Sequence, residues 1–334
     1  MQNLEIIEAP IIDNFTQPRG LTFKRPQTTR IKQTWSVGGG KGGIGKSLIA
    51  SQLAISLAKL GHKVIAIDLD LGGANLHTSF GIDLPRQTLA DFILKRENLL
   101  SHCISHTNIP NVELLSGAQD SLDVVNLSQT EKLRLLENMW ELNADYLIFD
   151  LGAGTNLNTI DFFAMSDVGF VVLLPEPTSI ENAYRFLKCV YYRRLKLNPV
   201  FEQIHPFIEI VMDPKNKEGI LTPADLFRET YKKSSILAKL LEEDIAKFLP
   251  KLIVNQTRTQ SDIDLGHSVK TVCKKYFDVE LEYVGPLTYD PYVWHSIRKR
   301  RPVLLEFPNA KFSEDLQKIT YNALNKSNNI RCSL

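Results

Sequence analysis

Residues Gly38-Gly39-Gly40-Lys41-Gly42-Gly43-Ile44-Gly45-Lys46-Ser47 constrain this chain more than any other stretch. An apolar-leaning run, Ile31 to Val37, precedes them, and an amphipathic run, Leu48 to Leu60, follows. Gly40 through Ser47 satisfies the spacing G-x-x-x-x-G-K-[ST] of a phosphate-binding loop. The demand behind that spacing is close approach. Glycines lack Cβ atoms, so consecutive backbone N–H groups can curl around phosphate oxygens. The next helix aims its N-terminal dipole and free N–H groups at the same anion. In such a loop Lys46 reaches the β- and γ-phosphates, and the Ser47 hydroxyl ligates Mg²⁺. Gly40, Gly42, Gly43, Ile44, Gly45, Lys46, Ser47 and Leu48 are therefore the expected nucleotide-binding residues. The bland alternative is a glycine turn before an ordinary helix. It does not account for a strand on one side and a helix on the other.

Lys41 lies inside the loop, directly after Gly40. A second ammonium turned inward loses hydration unless an anion meets it. The sequence KGGIGKS, Lys41 to Ser47, resembles the deviant Walker A motif of the MinD/ParA family of ATPases. By that resemblance Lys41 reaches across a dimer interface to the nucleotide of the partner subunit.

The chain has 334 residues, enough for one large or two smaller domains. Its formal net charge of +1 gives no global field toward nucleic acid or anionic lipid. Cys103, Cys189, Cys273 and Cys332 lie far apart and form no C-x-x-C pair. That argues against a zinc ribbon, a redox pair or a disulfide framework, and fits reduced thiols in a cytoplasm. The N-terminus carries no apolar signal core, and no apolar run is long enough to span a membrane.

Residues 1–30, with Pro10, Pro18 and Pro26, read as an extended or partly disordered lead-in. Its short apolar patch, Leu4 to Ile12, could dock on the body or on a partner. The ATPase domain is expected over 31–325, with a short polar tail over 326–334. Lys63 to Leu69 reads as a buried strand. Together with the first strand, the loop and the first helix it makes a right-handed parallel βαβ unit. It ends in Asp68-Leu69-Asp70, at the edge where open α/β sheets bind ligands. Alternation sets both carboxylates on one side of the chain. One would hold a Mg²⁺-bound water and the other would orient an attacking water; a charged loop after a strand is the alternative. DLDLGGANL resembles the switch I region of MinD relatives, nearest to FlhG (FleN)-like proteins. By that match Asp70 is the catalytic acidic residue, and Asp68 supports the metal. Ala144 to Phe149 is a further buried strand and closes in Asp150-Leu151-Gly152-Ala153-Gly154. An apolar strand ending in Asp is the Walker B arrangement, in which the carboxylate meets Mg²⁺. DLGAG is similar to the DTGAG of FlhG-like proteins.

The other elements follow from periodicity and stop signals. Thr88 to Leu94 is a short helix and Asn111 to Leu115 a strand. Thr130 to Leu142 is a helix with Leu133, Leu136 and Met139 or Trp140 inward. His102, Cys103 and His106 have helical metal-ligand spacing but no further ligand, so they read as packed or solvated. Val168 to Leu174 is a strand, followed by a helix that Ser179 could cap. LLPEPTSIENAYRFLK resembles the corresponding PEPTSI segment of the family. Residues 198–249 read as a helical insertion, with a kink at Pro206 and a weaker strand alternative over Phe207 to Met212. Thr222 would cap a helix opened by Pro223. The insertion would be a partner-docking surface or a plain elaboration of the body. Leu252 to Thr257 resumes the family pattern. An Asn at a strand end can pair its amide with an adenine edge, and the resemblance implies that role for Asn255; a turn Asn is the alternative. Ser261 to Tyr276 is a helix. Tyr283 to Leu287 is the last strand, with Pro286 able to pack against the base. Pro291 to Lys299 starts another helix. The basic run Arg298 to Arg301 reads as a solvated helix end in preference to a DNA-binding patch. Ala310 to Leu324 closes the chain with Phe312, Leu316, Ile319 and Leu324 inward. The remaining residues have too few apolar side chains for a membrane-surface helix.

The expected fold is α/β: a mostly parallel twisted sheet of about seven or eight strands with helices on both faces. The resemblance implies an ATPase that binds and slowly hydrolyses ATP. Lys41, Lys46 and Asp70 would carry the chemistry, with Mg²⁺ held by Ser47, Asp68 and Asp150. ATP would favour a homodimer and hydrolysis would release it. The output would be spatial or numerical regulation of a structure such as flagella, through an activator or cargo protein. Two other readings are a ParA-like DNA-partition ATPase and a metal-cluster carrier on the same scaffold, though carriers need paired cysteines.

Overall fold

Val64-Ile65-Ala66-Ile67 is apolar at every position, which suits a strand covered on both faces. The computed structural model describes residues 31, 33–117, 127–213, 215–220, 222–277 and 279–331, and it gives every one of these four side chains a buried place. The lead-in with its Leu4–Ile12 patch, and residues 332–334 of the expected tail, lie outside the described residues.

The chain begins with β1 (Gln33–Gly38), α1 (Lys46–Lys59) and β2 (Val64–Asp68), joined through the glycine loop. Next come α2 (Leu76–Ser79), α3 (Leu89–Ile93), β3 (Ile104–His106) and β4 (Val112–Leu115). Then follow α4 (Gln129–Trp140), β5 (Tyr146–Asp150), α5 (Leu157–Met165), β6 (Val168–Leu173) and α6 (Pro177–Leu197). A 3-10 turn, Pro199–Ile204, leads into α7 (His205–Met212), α8 (Pro223–Lys233) and α9 (Ser235–Lys247). The chain continues through β7 (Lys251–Thr257), α10 (Gln260–Phe277), β8 (Glu282–Thr288), α11 (Pro291–Arg298), α12 (Val303–Glu306) and α13 (Lys311–Arg331).

The strands form one eight-stranded sheet in the order β3-β4-β2-β5-β1-β6-β7-β8. Neighbouring strands are parallel except β3, which runs antiparallel to β4. Alternate residues of the inner strands point to opposite faces and build two cores. Ile65, Ile67, Leu147, Phe149, Val171 and Leu173 face the core filled from α3, α4, α5, α6 and α10. Trp35, Val64, Ala66, Ile148, Phe170 and Val172 face the core filled from α1, α12 and α13. The mostly parallel α/β fold read from the sequence is the fold observed, and its consequence for function is one ligand-binding edge. All parallel strands end there.

Several local expectations change. β3 and α5 carry too weak a pattern to be read in advance; β3 has three residues, and α5 is capped by Asn156, whose side chain accepts from Thr159 N at 2.9 Å. In α4, Leu133 is only half-buried while Leu135 takes the inward place, and Lys132 is buried beside it. Ser179 does not cap α6. Glu176 occupies that position, Pro177 opens the helix, and the Ser179 hydroxyl accepts from Leu174 N at 2.9 Å. Pro206 opens α7 and kinks nothing, since the first turn has no N–H bond to lose. The strand alternative over Phe207 to Met212 is overturned by the same helix. Thr222 caps α8 as expected, in a box with Asp225. The helices of 198–249 add Phe201, Ile204, Ile208, Leu226 and Leu241 to one of the two cores. α13 continues to Arg331, past the expected end at Leu324, because no Gly or Pro stops it.

His102 sits on Glu97 and His106 on Glu113, each at 3.1 Å, and Cys103 is buried. Among the described residues no group of His, Cys, Asp and Glu could hold a metal by itself. Lys299 and Arg301 both meet Glu306, and Arg300 meets Asp83. Most of the basic run is thus spent on internal pairs. No described helix is long and apolar enough to cross a membrane.

Candidate nucleotide site

The loop between β1 and α1 is shaped by positions that reject a side chain. Gly43 and Gly45 have φ of 74° and 94°, in the left-handed region. A Cβ on Gly40 would lie 2.1 Å from the Asn182 carbonyl oxygen, so α6 is packed directly against the loop. Lys46 is nearly buried, and its ammonium donates to the Lys41 carbonyl at 3.2 Å. Burial lowers its pKa, opposed by the charges of Asp150 and Asp70. Lys41 behaves differently. Its ammonium lies 3.0 Å from Glu176 Oε2, and both side chains are well exposed. Glu176 carries no motif that marks it as a site residue; its one signal is its place in the PEPTS segment that follows β6.

Opposite the loop stand the carboxylates. Asp68 and Asp150 end β2 and β5 and are direct partners in the register of those strands. Both are buried. Asp68 accepts from Leu76 N at 2.9 Å and from Asp70 N at 3.1 Å, so its two oxygens hold the turn that carries Asp70. Burial pushes Asp68 up to about 7 despite those bonds. Asp150 is pushed well above the usual carboxylate range by burial and by the neighbouring Asp68 charge. The Ser47 hydroxyl bonds to it, while Asp150 Oδ1 is buried with no hydrogen-bond partner. Asp70 is half-buried, and a Cβ on Gly152 would come within 3.1 Å of its Oδ1. The turns interlock through the backbone: Leu69 N donates to Asp150 O, Leu151 N to Val37 O and Gly154 N to Gly39 O.

Asn255 lies two residues before the end of β7, and its amide donates to the Ile44 carbonyl at 2.8 Å, inside the glycine loop. Pro286 lies on the next strand, paired in register with Val254. The glycine loop thus faces Asp68, Asp70 and Asp150 through Lys46 and Ser47, with Asn255 bonded to it from β7, while Pro286 is placed only by its pairing with Val254.

A glycine cradle facing a Ser–Asp pair with an orphaned buried carboxylate oxygen fits a hydrated divalent cation bound with a polyphosphate. Mg²⁺ keeps several waters and needs few protein oxygens, so two side chains suffice. The fold and this donor set define a P-loop nucleotide-binding protein. The family model for AAA domains of the AAA_31 type matches residues 32–203, and the chain belongs to that family, as a MinD/ParA-type ATPase close to FlhG. It is 27% identical over 284 residues to the antiactivator FleN of Pseudomonas aeruginosa, covering 84% of this chain and 82% of that one. It is 27% identical over 308 residues to the flagellum site-determining protein YlxH of Helicobacter pylori, covering 92% of this chain and 85% of the relative. In fold it matches the septum site-determining protein MinD of Pyrococcus horikoshii, solved with Mg-ADP. The TM-score is 0.58 at 22% identity, over 86% of this chain and 94% of that one.

Proposed function

We propose that the chain binds ATP with Mg²⁺ and hydrolyses it slowly, as the nucleotide switch of a homodimer. The observation that carries this reading is Asp150: a buried carboxylate beside Ser47 and Lys46 whose Oδ1 has no hydrogen-bond partner. Ser47 and Asp150 would hold the cation, with Asp68 behind them. The cation would neutralise charge on the phosphates and draw electrons from the γ-phosphorus. Lys46 places an ammonium at the phosphates from a buried position. Asp70, tethered by its own N–H to Asp68, has the one carboxylate with solvent access, and orients the attacking water there.

Lys41 is partly exposed and pairs with Glu176, a placement that suits a residue serving a second subunit. The nucleotide domain would run over 31–325, with 198–249 as its elaboration. The name of YlxH, a flagellum site-determining protein, favours a role in flagellar placement, in a cytoplasmic protein acting through an activator or cargo. The near-neutral charge and the spent basic run disfavour the DNA-partition reading. The described cysteines form no pair for a metal cluster.

The test is nucleotide turnover together with mass in solution. Wild type should bind Mg-ATP, release phosphate slowly and dimerise with ATP. Asp70→Ala should bind ATP, cease hydrolysis and persist as a dimer. A variant that hydrolyses ATP as wild type does removes Asp70 from the reaction.

A further inference from the structure

The Asn255 amide joins β7 to the phosphate loop across 211 residues of sequence. Asn255 Nδ2 donates to Ile44 O at 2.8 Å, and Asn255 Oδ1 accepts from Gln256 N at 2.9 Å. The pattern fixes which way the amide faces: the opposite flip would set oxygen against the Ile44 carbonyl and NH₂ against the Gln256 N–H. The side chain is buried, only 4% exposed. Two backbone features are arranged around it. Gln256 has φ 59°, a left-handed conformation uncommon for a residue with a Cβ, and it aims its N–H back at Asn255. Gly45 leaves room on the other side, since a Cβ there would stand 2.6 Å from Asn255 Nδ2.

We propose that Asn255 is a positioning residue for the phosphate cradle, not only a neighbour of the nucleotide base. The assignment rests on the nucleotide site proposed above. The loop must hold Gly43 and Gly45 in left-handed backbone with its N–H groups converging, and Lys46 ties it from within by donating to Lys41 O. Asn255 ties it from outside, at the carbonyl just before Gly45. The bond lowers the cost of ordering the cradle before the phosphates arrive. One amide hydrogen and one carbonyl lone pair of Asn255 remain beyond these two bonds. A base edge that engages them would engage a group already fixed by the loop. Base recognition and phosphate binding then share one anchor.

A base-free ligand separates this role from simple base contact. Mg²⁺-tripolyphosphate and Mg²⁺-ATP are titrated calorimetrically into the full chain of wild type, Asn255→Ala and Asn255→Asp. Asn255→Asp keeps the shape and the bond from Gln256 N but turns an acceptor toward Ile44 O. It keeps the test decisive should the alanine variant fold poorly, as the ligand-free melting temperature would show. Loss of one buried hydrogen bond predicts about tenfold weaker binding of tripolyphosphate, and at least as large a loss for ATP, which forfeits its base contact as well. ATP binding weakened while tripolyphosphate binds as to wild type overturns the proposal, because Asn255 then touches only the base. Wild type that binds neither ligand overturns the nucleotide site itself, and the proposal with it.

Discussion

The Lys41 ammonium lies 3.0 Å from Glu176 Oε2, whereas Lys46, five residues on, is buried with its ammonium on the Lys41 carbonyl. One loop therefore carries two lysines in opposite situations. Lys46 has given up its water and is held beside Asp150 and Asp70; Lys41 keeps its water and a solvated partner. An exposed pair of this kind is worth no more than about 1 kcal/mol. Glu176→Gln should accordingly leave the urea midpoint nearly unchanged. Lys46→Ala should abolish Mg-ATP binding. Lys41→Ala should keep monomer affinity within about threefold (under 1 kcal/mol) while losing the ATP-dependent dimer. Sizing with light scattering beside calorimetry separates the two, and equal loss of affinity in both variants would remove the distinction.

The glycines of the loop make a second, internal comparison. At Gly40 an added methyl group meets the Asn182 backbone at 2.1 Å, and the backbone of α6 cannot yield. At Gly43 an added methyl group meets nothing within 4 Å, but φ is 74°. Gly40→Ala should therefore displace the loop and reduce ATP affinity by at least a hundredfold, about 3 kcal/mol. Gly43→Ala should cost only about 1–2 kcal/mol of backbone strain. Calorimetric titration of both variants checks the order, and a Gly43 variant weaker than the Gly40 variant would contradict it.

These contacts mark what the sequence could and could not disclose. Gly40 to Ser47, Asp68, Asp70 and Asp150 were legible because each sits where a strand pattern stops, and strand ends of a parallel sheet share one edge. Glu176 and Asn182 were not, because a contact to the loop from the start of α6 leaves no spacing to read. Neither was the reach of Asn255 to Ile44: the strand end was visible, but its distance from the loop was not. Lys132 reads as an ordinary polar position on α4, and only the fold brings Asp161 to it.

Asp68 gives the apo protein a pH dependence with a definite sign. Burial pushes its carboxyl up to about 7, while an unfolded chain titrates near 3.9. Between those values the folded state holds the extra proton, so stability falls as pH rises. The effect of this group is absent below the unfolded value and complete above the folded one. The melting temperature of nucleotide- and metal-free protein should fall between pH 5 and 7.5. In Asp68→Asn, which keeps an acceptor for the turn, the fall should be smaller. Parallel curves for the two proteins would exclude Asp68 as the source.

Asp161 supports the site from below. It lies on α5, the helix that follows the Asp150–Gly154 turn, and it is met by Lys132 of α4 at 2.6 Å and Arg193 of α6 at 2.7 Å. Lys132 and Asp161 are buried, while Arg193 retains access to water. Removing the carboxylate strands the Lys132 ammonium in the core, so Asp161→Ala should lose about 3–5 kcal/mol of stability. Taking both buried charges away is a different experiment. In Lys132→Met with Asp161→Leu no buried charge is left alone, and Arg193 can extend to solvent. That double variant should recover most of the lost stability, since apolar replacement of a buried pair is often neutral. Urea denaturation of wild type, single and double variants measures the difference. A double variant as unstable as Asp161→Ala would show that the ion pair, and not its broken half, holds α4, α5 and α6 together.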